Sequence, residues 1–480
     1  MKTEESLRNK TAKGLLWGGL SNSVMQLLNL AFGIILARLL TPSDYGMVGM
    51  LTVFSALATA LQESGFTSAL INQQETRHED LNAVFWFNVG MSVTLYIILF
   101  FSAPLIAGFF HQPELTALAR YTFIGFVISS TGICHNALLM KQLRVKENSI
   151  IWIIALIVSG TVGVLLAWQG FSYWGIATQT LLFILCTVTG RWIISGWHPT
   201  FQFDFKPLRS MFGFSVKILA SNLITQVNNN ILSVLLGRFF TEREVGYFNQ
   251  GNKWNQMGYN TIQGMINGVA QPVLREVQND RERLLRVFRK MLRFAAFVSM
   301  PCMFGLALTA PELITIAVTD KWAASAHIMQ IICIGGAFLP LQNLMYNLLL
   351  SKGKSDVCMW NALAFGAVQI GTELFCVNYG ITVMVEAFVV INVAWLFVWW
   401  YFARIQTGIT LWQMLKDVLP FTAIAACSIL VANYASTLVN NIYLSLAVKI
   451  VVAFVIYLGL MYLSGAQTFR DCLNYLLHKK

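Results

Sequence analysis

The sequence predicts an all-α polytopic membrane protein of about 14 transmembrane helices, arranged as two six-helix lobes followed by two C-terminal helices. Of its 480 residues, 56% are hydrophobic and 11% are charged, and the mean hydropathy is +0.62. Soluble domains carry about 25% charged residues. Apolar stretches longer than about 18 residues recur along the whole chain, and each is long enough to cross a bilayer as a helix. The alternating pattern of membrane barrel strands is not seen.

The distribution of basic residues predicts the orientation of these helices. A 14-helix topology places 25 of the 33 Lys and Arg residues on one side of the membrane and seven on the other. The positive-inside rule makes the richer side cytoplasmic, with both termini there. The net charge of +11 then reflects orientation and contact with anionic lipid, so no nucleic-acid partner is expected. The charged start of the chain indicates a cytoplasmic tail leading into the first helix.

Cofactor and enzymatic functions find little support. The eight cysteines are scattered without a CxxC pair, so neither a disulfide framework nor a zinc site is predicted. The segment from Gly353 to Ser355 resembles the end of a phosphate-binding loop. However, Leu348 stands where the first glycine should be, and the segment follows a membrane helix. We therefore predict no catalytic residue, no metal and no cofactor, and no ATP hydrolysis by this chain.

A repeat at an offset of 200 residues divides the chain. Residues 21–46 match residues 221–246 at eight of 26 positions without a gap. Among the identical pairs are Arg38 and Arg238, Thr41 and Thr241, and Gly46 and Gly246. Weaker similarities continue at slightly larger offsets, so the first six helices and the next six are predicted to be one duplicated unit.

The duplication predicts the domain organisation. Because six is an even number, the two copies share an orientation and are related by a pseudo-twofold axis along the membrane normal. The N-lobe is predicted at residues 1–206 and the C-lobe at residues 207–404. Residues 405–480 then hold helices thirteen and fourteen and a cytoplasmic tail.

Amide side chains form a stripe on the first helix and again on the seventh. The stripes consist of Asn22, Gln26 and Asn29, and of Asn222, Gln226 and Asn229. Steps of four and three residues put each set on one helix face. An amide facing lipid would lack hydrogen-bond partners. Polar residues in spans also cross-link neighbouring helices, but two stripes at equivalent places favour a polar cavity shared by the lobes.

The eighth helix carries a third stripe, with steps of four, three, four and four residues. Its members are Asn252, Gln256, Tyr259, Gln263 and Asn267. The second helix has a lesser polar stripe, whereas most other helices are apolar all round. Helices one, two, seven and eight are therefore predicted to line the cavity.

Charged residues in or near the spans are candidates for function. Lys217 and Lys253 are predicted to offer cations to an anionic substrate, although Lys217 alternatively snorkels to the surface. Arg38 either joins them or caps the end of its helix. Glu63, deep in the second helix, is predicted as an ion-coupling site or as half of a structural ion pair. Lys449 is expected at the outer interface.

Several further features are expected of individual segments. Glu373 and Glu386, in the eleventh and twelfth helices, have no partner that the sequence identifies. The basic segment 275–293 is predicted to be an amphipathic connector that faces lipid. Segments 117–140 and 325–350 are each predicted as one membrane-spanning helix.

Three segments resemble a known family. They are KGLLWGGLSNSVMQLLNLAFGIILARLLTPSDYGMVGM from Lys13, QESGFTSALINQ from Gln62 and GRFFTEREVGYFNQGNKW from Gly237. They resemble the polysaccharide-transport branch of the MOP exporter superfamily, and most of all the Wzx-type flippases related to colanic-acid and teichuronic-acid exporters. The resemblance extends over essentially the whole chain.

The resemblance implies a fold and an activity. It implies two lobes around a cavity lined by helices one, two, seven and eight, in a bacterial inner-membrane protein. The implied substrate is an undecaprenyl-diphosphate-linked oligosaccharide moved from the inner to the outer leaflet for surface polysaccharide synthesis. The implied partners are membrane lipids and polysaccharide polymerase or assembly proteins. The related lipid II flippase has two extra helices that border a groove for the lipid tail, as helices thirteen and fourteen would here.

A second function class stays open at this point. Multidrug-type antiporters of small molecules share the same architecture. Their organic cation substrates favour an acidic, aromatic cavity, whereas amides and lysines dominate the predicted cavity here. The composition of the stripes therefore favours a sugar headgroup and an anionic diphosphate.

Overall fold

The structure is a computed structural model that describes residues 21, 23–63, 70, 77–201 and 206–470. At residues 62–63, 206–218, 221 and 268–269 it describes the backbone alone. Within these ranges the regular structure is helical, and no β-strand occurs. Nine helices of the described chain are long and apolar enough to span a membrane, or ten when one bent pair counts as a single span. The predicted class of all-α polytopic membrane protein is confirmed.

Two compact units divide the chain between Gly246 and Tyr247. The first unit contains α1 (Ser23–Leu39), α2 (Pro42–Glu63), α3 (His78–Phe110), α4 (Leu115–Ser130), α5 (Ile133–Lys141), α6 (Val145–Trp168), α7 (Tyr173–Ser195), α8 (Lys206–Phe239) and the first turn of α9 (Glu242–Glu276). Helix α8 is the seventh predicted helix, and it packs against α2 and α3.

The second unit contains the remainder of α9 and the helices that follow. These are α10 (Arg281–Val318), α11 (Ala323–Gly336), α12 (Leu339–Ser351), α13 (Ser355–Cys376), α14 (Ile381–Thr407), α15 (Leu411–Ser436) and α16 (Ile442–Leu463). Helices α15 and α16 correspond to the predicted thirteenth and fourteenth helices, and both pack against α10.

Two of the predicted spans each consist of two helices with a two-residue interruption between them. Helices α4 and α5 meet at an angle of 44° across Thr131 and Gly132. The hydroxyls of Ser129, Ser130 and Thr131 each donate to a carbonyl three residues earlier, which competes with the regular helical ladder. Helices α11 and α12 are likewise separated by two residues, and Pro340 opens α12. Proline lacks the N–H that an unbroken helix would need there.

The basic connector packs its apolar face into the protein, contrary to the prediction that this face contacts lipid. Its helical part is the start of α10, and its apolar residues Leu284, Phe288 and Leu292 are fully buried in the protein. Arg289 forms a bidentate pair with Asp417 at the start of α15, with N–O distances of 2.6 and 3.0 Å. Asp417 is itself buried. Apolar packing and this ion pair hold the connector against the second unit.

Lys449 is buried, not interfacial as predicted. Its ammonium lies 2.5 Å from a carboxylate oxygen of Glu312 in α10 and 3.3 Å from the carbonyl oxygen of Leu308. The hydroxyl of Ser445 donates to the same carboxylate at 3.0 Å. A paired charge is the form in which a membrane span tolerates both residues. The pair fixes α16 to α10.

Candidate functional site

The stripe on α1 presents its amides outward. Gln26 and Asn29 are exposed, and neither forms a hydrogen bond with another residue of the described chain. Asn22 lies outside the described residues. Amides left open on a membrane helix need water or a polar ligand, because acyl chains offer them no partner.

The matching stripe on α8 has the same character. Asn229 is exposed, and Asn222 and Gln226 are half-buried. The backbone carbonyl of Gln226 accepts a hydrogen bond from the side chain of Asn230, whereas the three stripe amides themselves form none within the described residues. The structure therefore leaves the amides of both repeat copies available to a ligand.

The polar residues in the first half of the α9 stripe also lack partners in the described chain. Asn252 and Lys253 are half-buried and Gln256 is exposed. None of the three has a hydrogen bond or an ion pair in the described part of the chain. Lys253 is thus a cation on the polar face whose charge no described carboxylate neutralises. An anionic group of a substrate would supply that missing charge.

The second half of the α9 stripe is tied to α12. The Gln263 amide donates to the Asn267 side chain at 2.9 Å, and that oxygen also accepts from Asn347 at 3.0 Å. The Tyr259 hydroxyl lies near the Asn343 side chain. At Asn267, the structure thus shows the helix cross-linking that the sequence left as an alternative. The partners on α12 were missed, although Asn343 and Asn347 have the four-residue spacing of one helix face.

Arg38 and Arg238 end the two repeated helices, and the contacts of Arg238 are defined in detail. Arg238 donates to the Phe109 carbonyl at 2.6 Å, contacts His111, and lies 5.1 Å from the centre of the Phe109 ring. It thus caps α3, a neighbouring helix, and not its own. Arg38 is exposed and also takes part in an interaction.

Two glycines of the repeat lie where α2 and α9 begin and cross. A Cβ atom on Gly46 would stand 1.7 Å from the carbonyl oxygen of Glu242, and one on Gly246 would stand 1.8 Å from that of Pro42. The two contacts are equivalent, because residues 42 and 242, like 46 and 246, are matched positions of the repeat. Only glycine lets two backbones approach this closely. Both contacts lie within the first unit.

The turns before these two helices are capped in the same way. Thr41 donates its N–H to the Asp44 carboxylate at 2.8 Å and accepts the Asp44 N–H at 3.3 Å. Thr241 and Glu244 repeat the arrangement at 3.0 and 3.3 Å. Such reciprocal bonds satisfy donors at a helix start. The repeated threonines therefore begin the helices, and the repeated glycines let them cross.

Lys217 and Glu63 are described by their backbone alone, which is helical at both positions. Their side chains lie outside the described residues. Their assigned roles remain predictions. Among the residues that the structure describes, no group of three or more His, Cys, Asp or Glu side chains is arranged to hold a metal ion.

Comparisons with known proteins place the chain in a family of polysaccharide biosynthesis proteins. Residues 35–327, more than half of the chain, match the family described as "Polysaccharide biosynthesis protein". The chain is 25% identical to the teichuronic acid biosynthesis protein TuaB of Bacillus subtilis, over 77% of this chain and 79% of TuaB. It is also 25% identical to the lipopolysaccharide biosynthesis protein WzxC of Escherichia coli, over 73% of this chain and 72% of WzxC.

Solved structures share the fold. The lipid II flippase MurJ, in an inward closed conformation, matches with a TM-score of 0.74 at 14% identity, over 96% of this chain and 99% of MurJ. An inward-facing multidrug resistance transporter of the MATE family and MOP superfamily matches with a TM-score of 0.65 at 17% identity, over 80% and 94% of the two chains. The chain therefore shares the fold of these transporters, and it belongs to the polysaccharide biosynthesis protein family.

Proposed function

We propose that the protein is a flippase that moves an undecaprenyl-diphosphate-linked oligosaccharide from the cytoplasmic to the outer leaflet of the bacterial inner membrane. It would act in surface polysaccharide synthesis by alternating access and without hydrolysing ATP. The observation that carries the proposal is the family match over residues 35–327, with relatives named for teichuronic acid and lipopolysaccharide biosynthesis. Both termini would lie in the cytoplasm.

The open polar residues suit the headgroup of such a substrate. Sugar hydroxyls need many donors and acceptors, and Gln26, Asn29, Asn229 and Gln256 have amides with no described partner. The diphosphate needs a cation, for which Lys253 is a candidate because no described carboxylate neutralises it. Lys217 and Arg38 remain further candidates. The lobes at residues 1–206 and 207–404 would rock about this site.

The C-terminal helices suit the lipid tail. A cavity of about 530 Å³ lies among α10, α15 and α16, and its lining is apolar apart from a few groups such as Ser428 and Lys449. A polyprenyl chain gains its binding energy from apolar contact. We therefore propose that residues 405–480, which contain α15 and α16, border the path of the tail. Glu63 stays the proposed ion-coupling residue on the second helix.

A reconstituted flipping assay tests the proposal. Full-length protein in liposomes should move a fluorescent polyprenyl-diphosphate oligosaccharide to a leaflet where a membrane-impermeant quencher reaches it. A strain lacking the gene should accumulate the lipid-linked sugar and lose surface polysaccharide. Export of organic cations without any movement of the glycolipid would instead establish the multidrug-type antiporter and end the proposal.

A further inference from the structure

A buried carboxylate in α13 has no counter-charge. Glu373 and its neighbour Gln369, one helical turn earlier, are both completely buried. The Gln369 amide donates to one carboxylate oxygen of Glu373, Oε1, at 2.9 Å. The second carboxylate oxygen, Oε2, and the amide oxygen of Gln369 are buried and have no partner. Two acceptors of the same pair of side chains are thus left unsatisfied.

Other buried carboxylates of the second unit are neutralised. Asp417 has Arg289 and Arg293 beside it, and Glu312 has Lys449 at 2.5 Å. Glu373 has no ion pair within the described residues. A bare carboxylate in a membrane span, with one neutral amide as its partner, carries a large desolvation cost. The contrast indicates that Glu373 is held in another protonation state.

The helices packed against α13 supply no counter-charge to Glu373. These are α12 and α14, joined to α13 in part through the turn Val377–Tyr379. None of their titratable or charged groups pairs with Glu373, and neither does any on α13 itself. These groups are Tyr346 on α12; Tyr379 in the turn; Glu386, Tyr401 and Arg404 on α14; and Asp356, Cys358 and Cys376 on α13.

We propose that Glu373 and Gln369 form a proton-binding site in which the carboxyl group is protonated. A proton on Oε2 turns this oxygen from an acceptor into a donor. The unsatisfied oxygen of the Gln369 amide is the acceptor that completes the pair. The carboxylic acid and the primary amide are then joined by two reciprocal hydrogen bonds, which satisfy both buried oxygens at once. One proton on Oε2 thus neutralises the carboxylate and gives both unsatisfied oxygens a hydrogen-bond partner.

This step rests on the proposed function. The site offers a way to couple that transport to an energy source. An exporter without nucleotide hydrolysis needs an ion gradient, and a carboxyl group that is protonated in one state and deprotonated in another couples movement to that gradient. The proton leaves when water or a base reaches Oε2 and restores the solvation of the carboxylate. Glu373 would thus carry one proton in each transport cycle.

Infrared spectroscopy tests the site independently of transport. Wild-type protein in liposomes should show the carbonyl stretch of a protonated carboxylic acid at neutral pH. This band should be lost in Glu373→Gln, in which an amide replaces the acid and keeps the same shape. It should persist in the matched control Glu386→Gln, which removes an exposed carboxylate from the neighbouring helix. In Gln369→Leu the band should shift to higher frequency, because the carbonyl loses its hydrogen bond.

Transport assays complete the test and separate the two proposals. Glu373→Gln should lose flipping driven by a pH gradient, down to the level without a gradient, but should retain equilibration of the glycolipid between leaflets. The Glu386→Gln control should respond to the gradient like the wild type. An unchanged infrared band in Glu373→Gln would overturn the proton site. A sodium-dependent rise in melting temperature that this variant abolishes, without any acid band, would overturn it in favour of a metal ion. Absence of flipping by the wild type would refute the transport function and leave the infrared result standing.

Discussion

Replacing Gly46 by alanine should separate α2 from α9. The added methyl group would lie 1.7 Å from the Glu242 carbonyl oxygen, whereas ordinary van der Waals contact begins near 3.4 Å. The obstacle is backbone, which cannot rotate aside like a side chain, so the helices must move apart by roughly half of that contact distance. Overpacking of this kind costs about 1–3 kcal/mol. We expect a lower melting temperature for the purified protein in detergent.

The repeat supplies a sharper form of this prediction. Gly246→Ala should cost about as much as Gly46→Ala, since its methyl group would meet the Pro42 carbonyl at 1.8 Å. One outward shift relieves both clashes, so the double variant should be little worse than either single variant. Coupling of about 0.5–3 kcal/mol is usual for residues that share a contact.

A glycine of the same helix provides the control. A Cβ atom on Gly264 in α9 would meet nothing within 4 Å. Gly264→Ala should therefore leave stability unchanged or raise it by up to about 1 kcal/mol, because alanine favours a helix. If Gly46→Ala and Gly264→Ala melted alike, or if the two crossing variants were strictly additive, the inferred close crossing would be wrong.

Three further predictions concern the charged residues. Asp417→Ala should destabilise the protein by about 3 kcal/mol, which thermal unfolding would measure. This value is at the lower end for a broken buried ion pair, because the two arginine partners are 28% and 34% exposed. Lys449→Met should cost about 3–5 kcal/mol by leaving a charge unpaired, and adding Glu312→Gln should restore most of it; no rescue would disprove the pairing. The double variant Lys217→Ala, Lys253→Ala should abolish glycan export at normal protein levels, and normal surface polysaccharide would count against the cation role.

The sequence predicts the helices well because they depend on local periodicity. The amides on α1 and α8 follow from steps of three and four residues, and burial leaves Gln26, Asn29 and Asn229 available. The two helix breaks were not predicted. They arise from three consecutive hydroxyls and from one proline inside apolar segments, and neither disturbs the average hydropathy over a span.

Contacts between distant segments were beyond sequence reasoning. Arg289 and Asp417 are 128 residues apart, and the spacing of charges along the chain does not reveal their pairing. Lys449 was predicted at the interface from its place near a helix end, but its pairing with Glu312 removes the cost of burial. The cross-link between Asn267 and Asn347 on α12 likewise depends on which helix packs beside α9.

The repeat acquires a physical meaning at the crossing. Each copy contributes a helix start and a glycine, and each glycine contacts the helix start of the other copy, so the contact is self-complementary like that of a twofold dimer. A side chain on either glycine would push the helices apart, which is why both copies need glycine at this position. Under the proposed alternating access, a contact made wholly of backbone can close and open without breaking any ion pair. Variants that hold the crossing apart should therefore change the rate of glycolipid flipping more than the control Gly264→Ala does, and equal rates would show that the crossing takes no part in transport.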